Sequence, residues 1–185
     1  MRLFIAMPLP PQIEEALGKI ILALKQSRSS VKWVASGNIH LTLKFLGETD
    51  EKKVDNIIES IKRVGVGHKT VKSRLEGLGG FPNLRKPRVI WAGLSEGVDI
   101  LAKIAADIEN EMEKLGFEKE NRPFKSHLTL GRVKDTFGLA ELTRAIENYK
   151  GRPEDFILNK IVLFKSTLTP RGPIYERLFE LELPN

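Results

Sequence analysis

The chain of 185 residues contains no cysteine. Disulfides, thiol nucleophiles and thiolate metal sites are thereby excluded, and the absence fits a reducing compartment. No apolar run approaches the ~20 residues that a membrane-spanning helix needs, and the start lacks the basic, apolar and small-residue order of a signal peptide. These absences lead to the expectation of a cytoplasmic protein with no membrane partner. Histidine is scarce, with three copies, and tryptophan and tyrosine occur twice each.

What is present describes a globular protein with a real core. Hydrophobic residues make up 41% and charged residues 29% of the chain, long enough for one large domain or two small lobes. Thirty basic residues against 24 acidic ones give a net charge of +6 and a pI near 9.5, which favours a polyanionic partner. Few glutamines, no cysteines and many Lys and Glu residues lean towards a thermophile.

Strand and helix signals alternate. Arg2 to Met7 reads as a strand stopped by Pro8 and Pro10. Ile13, Ala16, Leu17, Ile20, Ile21 and Leu24 follow helical spacing behind Pro11. Val31 to Val34 is a short strand. His40 to Gly47 is another, followed by a helix that Asp50 can cap, with Val54, Ile57, Ile58 and Ile61 on its buried side. Lys69 to Leu78 completes a βαββαβ order. The Gly79 to Arg88 segment, rich in Gly, Pro and positive charge, is a loop by every local signal. Val89 to Leu94, a helix from Val98 to Leu115 ended by Gly116, a strand from His127, a short helix at Leu139 to Ile146, and strands at Phe156–Thr167 and Tyr175–Leu183 follow. Alternating strands and helices in two similar halves predict an α+β protein of two sheets, each backed by helices. Residues 1–185 are expected to form one domain of two lobes, approximately 1–80 and 81–185, with possible strand exchange between them.

One tetrapeptide occurs twice, as His40-Leu41-Thr42-Leu43 and as His127-Leu128-Thr129-Leu130, with the two histidines 87 residues apart. Two of only three histidines thus carry a threonine two positions on, in a chain with eight threonines. In a strand, successive side chains take opposite faces. His40 and Thr42 then share one face against Leu41, Leu43 and Phe45, and His127 and Thr129 share one against Leu128 and Leu130. The same parity puts Lys44 with His40, either lining a cleft or reaching solvent. Arg132 falls out of parity with His127, so its presence beside that histidine requires a bulge near Gly131.

Two imidazoles facing each other across a cleft can supply one acid and one base near neutrality. Displacement at phosphorus needs attacking and leaving oxygens roughly in line, which two histidines related by a twofold axis can serve. Threonine hydroxyls and a cation would hold the non-bridging oxygens. Two histidines with no cysteine and no evident carboxylate partner fall short of the usual three or four metal ligands, so no metal or other cofactor is expected. His68 has no such company and reads as a solvated loop residue. Trp33 and Trp91 read as core aromatics rather than site residues.

With these motifs the sequence resembles the 2H phosphoesterases, and more narrowly the RNA 2′,3′-cyclic phosphodiesterases also called 2′-5′ RNA ligases. The resemblance runs through Leu3-Phe4-Ile5-Ala6, Lys32-Trp33-Val34, His40 to Gly47, Phe81-Pro82, Pro87 to Trp91, Pro123-Phe124, His127 to Arg132 and Gly172 to Tyr175. Ser126 departs from it, because many members have proline before the second histidine. The resemblance implies a bilobal, LigT-like, duplicated ferredoxin-like fold of two pseudo-symmetric antiparallel sheets, with the active cleft between them. It implies hydrolysis of RNA 2′,3′-cyclic phosphate ends to 2′-phosphate without a metal. By the family pattern His40 is the proton donor, His127 the proton acceptor, and Thr42, Thr129 and Arg132 bind the substrate phosphate. The near-identical motifs leave the donor and acceptor labels exchangeable on the residues alone. The implied partner is RNA with a cyclic phosphate end, including tRNA halves, and the expected state is a monomer. Two other readings stand beside this one. A 2′-5′ ligase would use the same residues to join tRNA halves. A non-catalytic ferredoxin-like RNA-binding module would share the βαββαβ order and basic surface, but it lacks an aromatic-rich RNP signature and leaves the paired motifs unexplained.

Overall fold

The computed structural model describes residues 1–185. Nine strands and four α-helices form in the order β1 (Arg2–Pro8), α1 (Pro11–Lys25), β2 (Val31–Trp33), β3 (His40–Glu48), α2 (Val54–Val66), β4 (Val71–Phe81), β5 (Val89–Leu94), α3 (Val98–Lys114), β6 (His127–Val133), α4 (Leu139–Glu147), β7 (Glu154–Leu158), β8 (Lys160–Thr169) and β9 (Gly172–Glu182). Helix α1 opens on Pro11, whose missing N–H costs nothing in a first turn, and its apolar spacing buries Ile13, Leu17, Ile20, Ile21 and Leu24. Asp50 caps the turn before α2 by accepting from the Lys52 amide at 3.0 Å.

The strands make two sheets, in the orders β3-β1-β8-β9 and β2-β6-β5-β4-β7. Every neighbouring pair is antiparallel. The predicted bilobal α+β architecture is therefore the one adopted, with strands of both chain halves in each sheet. A single predicted strand over Phe156–Thr167 is corrected to two. β7 ends on Leu158 at the edge of the second sheet, and β8 begins at Lys160 in the first. Phe156 and Leu158 share the main cluster with Ile161 and Leu163, while Val162 and Phe164 are buried on the other face of β8, so the parity facing the main core changes at Asn159, and the continuous apolar run Ile161–Phe164 hides that change in the sequence.

β1 reads as a continuous hydrophobic run because it is covered on both faces. Leu3, Ile5 and Met7 enter a core cluster of 35 buried residues that also contains Leu41, Ile61, Ile90, Leu101 and Leu128. Phe4 and Ala6 point the other way and join Val162 and Phe164 in a separate cluster with Tyr175 packed against it. Helix α3 packs on α2 and touches β3 of the first sheet and β4 of the second. No helix is long and apolar enough to cross a membrane.

Candidate active site

Each HLTL tetrapeptide opens a strand, β3 or β6, and those two strands pack against each other where the sheets meet. In both copies the histidine and threonine are half-buried while the leucines are fully buried, so the predicted faces are observed. The imidazoles are anchored alike. His40 Nδ1 donates to the carbonyl of Asn38 at 2.8 Å, and His127 Nδ1 donates to the carbonyl of Lys125 at 2.7 Å. A carbonyl oxygen only accepts, so Nδ1 holds the proton in each neutral ring and Nε2 keeps its lone pair.

A bulge follows at the same place in both motifs. Ile5 pairs with Lys44 and Ala6 with Thr42, which leaves Leu43 without a partner. Ile90 pairs with Gly131 and Trp91 with Thr129, which leaves Leu130 without one. An unpaired residue reverses the alternation beyond it. The fifth residues, Lys44 and Gly131, are consequently buried, and the sixth, Phe45 and Arg132, are exposed. Arg132 is thereby returned to the side of His127 and Thr129, the place that the family resemblance implied for it and that simple alternation denied.

The same geometry overturns two expectations. Phe45 does not join the core: it is 63% exposed, with its ring centroid 6.1 Å from that of Phe4 on the cleft side. Lys44 neither lines the cleft nor reaches solvent: it is 6% exposed and its Nζ lies 2.5 Å from Glu109 Oε1 on α3. His68 is a third correction. It is 7% exposed, with Nε2 held 2.7 Å from Asp107 Oδ2, because α2 and α3 pack side by side and close over it.

Aromatic rings set the electrostatics. His40 stacks on Phe4 at 4.8 Å between centroids, meets the edge of Tyr175 at 5.5 Å and lies 5.9 Å from Phe164. Burial among these rings lowers its pKa to about 4, against the smaller opposing effect of the Asn38 carbonyl. His127 meets the Phe81 ring edge-on at 4.9 Å. Its pKa is also lowered, first by burial and further by the Arg132 charge, while the Lys125 carbonyl opposes. Burial raises the Tyr175 phenol, and the charges of Arg132 and Arg2 oppose that shift. Arg132 of the second sheet therefore acts both on His127 and on the tyrosine that touches His40.

Beside His127 opens a cavity of about 610 Å³ walled by Phe81, Trp91 and Phe124, with Lys125, Glu76 and Asp99 also lining it. Trp91 is thus at the margin of the site rather than wholly in the core, while Trp33 packs against the core as expected. Phe4, Phe81 and Phe164 were not legible as neighbours of the histidines. The one available signal was the parity of Phe4 in β1, opposite to the core residues Leu3 and Ile5. No three His, Asp or Glu side chains converge in a way that could hold a metal ion.

Against this geometry, comparison with known proteins is consistent from end to end. The model of the family described as LigT like phosphoesterase matches residues 7–91 and 93–175. The RNA 2′,3′-cyclic phosphodiesterase of Methanocaldococcus jannaschii is 39% identical over 181 residues, which cover 97% of this chain and 99% of that protein. The protein of the same name from Thermotoga maritima is 35% identical over 182 residues, covering 98% and 95%. A crystal structure from Thermus thermophilus superposes with a TM-score of 0.82 at 28% identity, covering 99% of this chain and 98% of that one. E. coli LigT complexed with 3′-AMP gives 0.72 at 25%, covering 100% and 98%. Matched over nearly its whole length by family model and relatives alike, the chain belongs to the LigT-like phosphoesterases of the 2H family.

Proposed function

We propose that this protein hydrolyses RNA 2′,3′-cyclic phosphate ends and leaves the phosphate on the 2′ oxygen, with the two histidines as acid and base. The observation that carries the reading is the matched setting of His40 and His127. Each has Nδ1 tied to the carbonyl two residues earlier, a threonine on its own face and a bulge at the fourth motif position. Such a pair suits a reaction in which one proton is taken on one side of phosphorus and another is given on the opposite side. The names of the relatives from Methanocaldococcus jannaschii and Thermotoga maritima support the same substrate.

In this mechanism water attacks phosphorus and His127 Nε2 takes its proton as the new P–O bond forms. The bond from phosphorus to O3′ breaks, and His40 Nε2 delivers a proton to the departing oxygen. Water is thereby split between phosphorus and the 3′ hydroxyl, and the two histidines have exchanged protonation states. Thr42, Thr129 and Arg132 hold the non-bridging oxygens as charge builds on them. Burial lowers the pKa of both rings and so favours their neutral form, which suits His127 as base. The incoming phosphate anion favours the imidazolium form of His40 and so creates the acid where it is needed. The chemistry calls on no metal. With a 5′-hydroxyl in place of water the same displacement forms a 2′-5′ linkage, the joining reaction that tRNA halves would undergo.

The test is to incubate the purified protein, with and without chelator, with an RNA ending in a 2′,3′-cyclic phosphate, and to determine which hydroxyl keeps the phosphate. A 2′-phosphate is expected in both conditions. His40→Ala and His127→Ala should each slow the reaction by about 10²–10⁴ while RNA binding persists. A 3′-phosphate product or loss of activity in chelator would overturn the reading. Yields from tRNA halves with free 5′-hydroxyls measure how far joining competes with hydrolysis.

A further inference from the structure

We propose that the buried Lys44–Glu109 pair is the strut that sets the spacing of His40 and His127, so that Lys44 is a positioning residue for the reaction. The inference rests on the acid/base reading above. Lys44 lies on β3, four residues after His40. The bulge at Leu43 swings its side chain away from the cleft and against α3, where both it and the Glu109 side chain are buried or nearly so. Nζ donates to Glu109 Oε1 at 2.5 Å and to the backbone carbonyl of Glu118 at 2.8 Å. Glu109 Oε1 also accepts the backbone N–H of Glu120 at 2.9 Å. One lysine and one carboxylate thus join three pieces of chain: the strand of the first histidine, helix α3, and the segment that leads into the strand of the second.

The other ties of that segment to α3 are exposed: Lys119 Nζ reaches Asn110 Oδ1 at 3.3 Å and Glu113 Oε2 at 3.1 Å. Outside helices and strands, no backbone hydrogen bond falls on residues 118–126. Glu118 to Pro123 and Lys125 are exposed, while Phe124 packs on the core. Yet this stretch supplies the carbonyl of Lys125 on which His127 Nδ1 is anchored. Slack at Glu118 and Glu120 is therefore passed to the orientation of His127. The reaction is sensitive to such slack, because misplacement of a reacting group by about 1 Å can cost about 10² in rate.

A buried ion pair is a poor device for stability alone, since burial of two charges costs about as much as their attraction returns, and a pair of apolar residues often serves as well. That separates positioning from mere support. Lys44→Met strands a carboxylate and is expected to destabilise the fold. The double variant K44M/E109L removes both charges and is expected to recover most of the thermal midpoint. Neither apolar side chain can hold the Glu118 carbonyl or the Glu120 amide.

The decisive comparison is between K44M/E109L and the wild type. The double variant should cleave a cyclic phosphate dinucleotide with kcat lowered about 10–100-fold and KM changed by less than about threefold, since Thr42, Thr129 and Arg132 are untouched. Trypsin should cut it faster than the wild type at Lys119 or Lys125 while it remains folded. Full recovery of kcat together with wild-type protease resistance would reduce the pair to a fold contact and overturn the proposal. Faster proteolysis with unchanged kcat would equally overturn it, since the segment would then be held without bearing on His127. A wild-type protein with no phosphodiesterase activity would instead sink the catalytic reading, and the protease comparison would still report whether the pair tethers the segment.

Discussion

The two histidines share their sequence surroundings but not their solvent, and under the proposed mechanism that difference governs how the rate depends on pH. His40 lies among three aromatic rings and is lowered to about 4, whereas His127 has one ring edge beside it, with Arg132 as a second cause of its lowering below 6.5. With a pKa of about 4, His40, the donor of the proposed mechanism, carries a proton in only about one free molecule in a thousand at pH 7. The parameter kcat/KM reports the free enzyme, so it should be level between the two pKa values and fall about tenfold per pH unit above the higher one. The sign is therefore a decline with rising pH that begins below 6.5. In the complex the phosphate anion stabilises the protonated His40, so the alkaline limb of kcat should lie at higher pH than that of kcat/KM. Measuring both profiles on a cyclic mononucleotide checks this. Coincident limbs at or above 6.5 would mean that burial does not set the donor's charge.

At the scale of elements, the bulges and the close approach of β4 to β5 decide what the cleft can contain. Gly93 pairs with His127 across the β5–β6 ladder and lines the cavity beside it. A Cβ at Gly93 would stand 2.7 Å from the backbone oxygen of Glu76 on β4, a contact that only movement of that strand can relieve. Gly93→Ala is accordingly expected to cost about 1–3 kcal/mol of stability and to lower the thermal midpoint by several degrees. Gly67→Ala, whose Cβ meets nothing nearer than 3.6 Å, serves as the control and should remain within about 0.5 kcal/mol of wild type. Calorimetry of the two variants decides between a steric and a generic glycine effect. The same scale explains what could be read from the sequence. Helical spacing and capping are local, and all four helices were legible from them. A bulge is a property of two paired strands, so Phe45 and Lys44 were assigned to the wrong faces. Arg132 alone betrayed the bulge, because its expected place contradicted the alternation. Lys44 was beyond reach because its partner Glu109 lies 65 positions away in sequence. His68 similarly meets Asp107 only after α2 and α3 have packed.

Across the whole molecule, the chain crosses between sheets often enough to argue for one cooperative unit. β1 and β3 share a sheet with β8 and β9, while β2 and β4 share the other with β5, β6 and β7. A single cluster of 35 buried residues takes in side chains of both sheets and of all four helices. Neither sheet can lose its partner without exposing that cluster, and burial of apolar surface is the main force holding the fold. The two tryptophans, Trp33 on β2 and Trp91 on β5, are both in the second sheet, which makes their fluorescence a local reporter. Far-UV circular dichroism reports both sheets and the helices together. If the two sheets unfold as one, the fluorescence and dichroism midpoints in denaturant coincide and the calorimetric and van't Hoff enthalpies agree. A fluorescence transition separated from the dichroism transition would mean that the second sheet can open alone. His40 and His127 would then be held by independently fluctuating bodies, which is incompatible with fixed placement on two sides of one phosphorus.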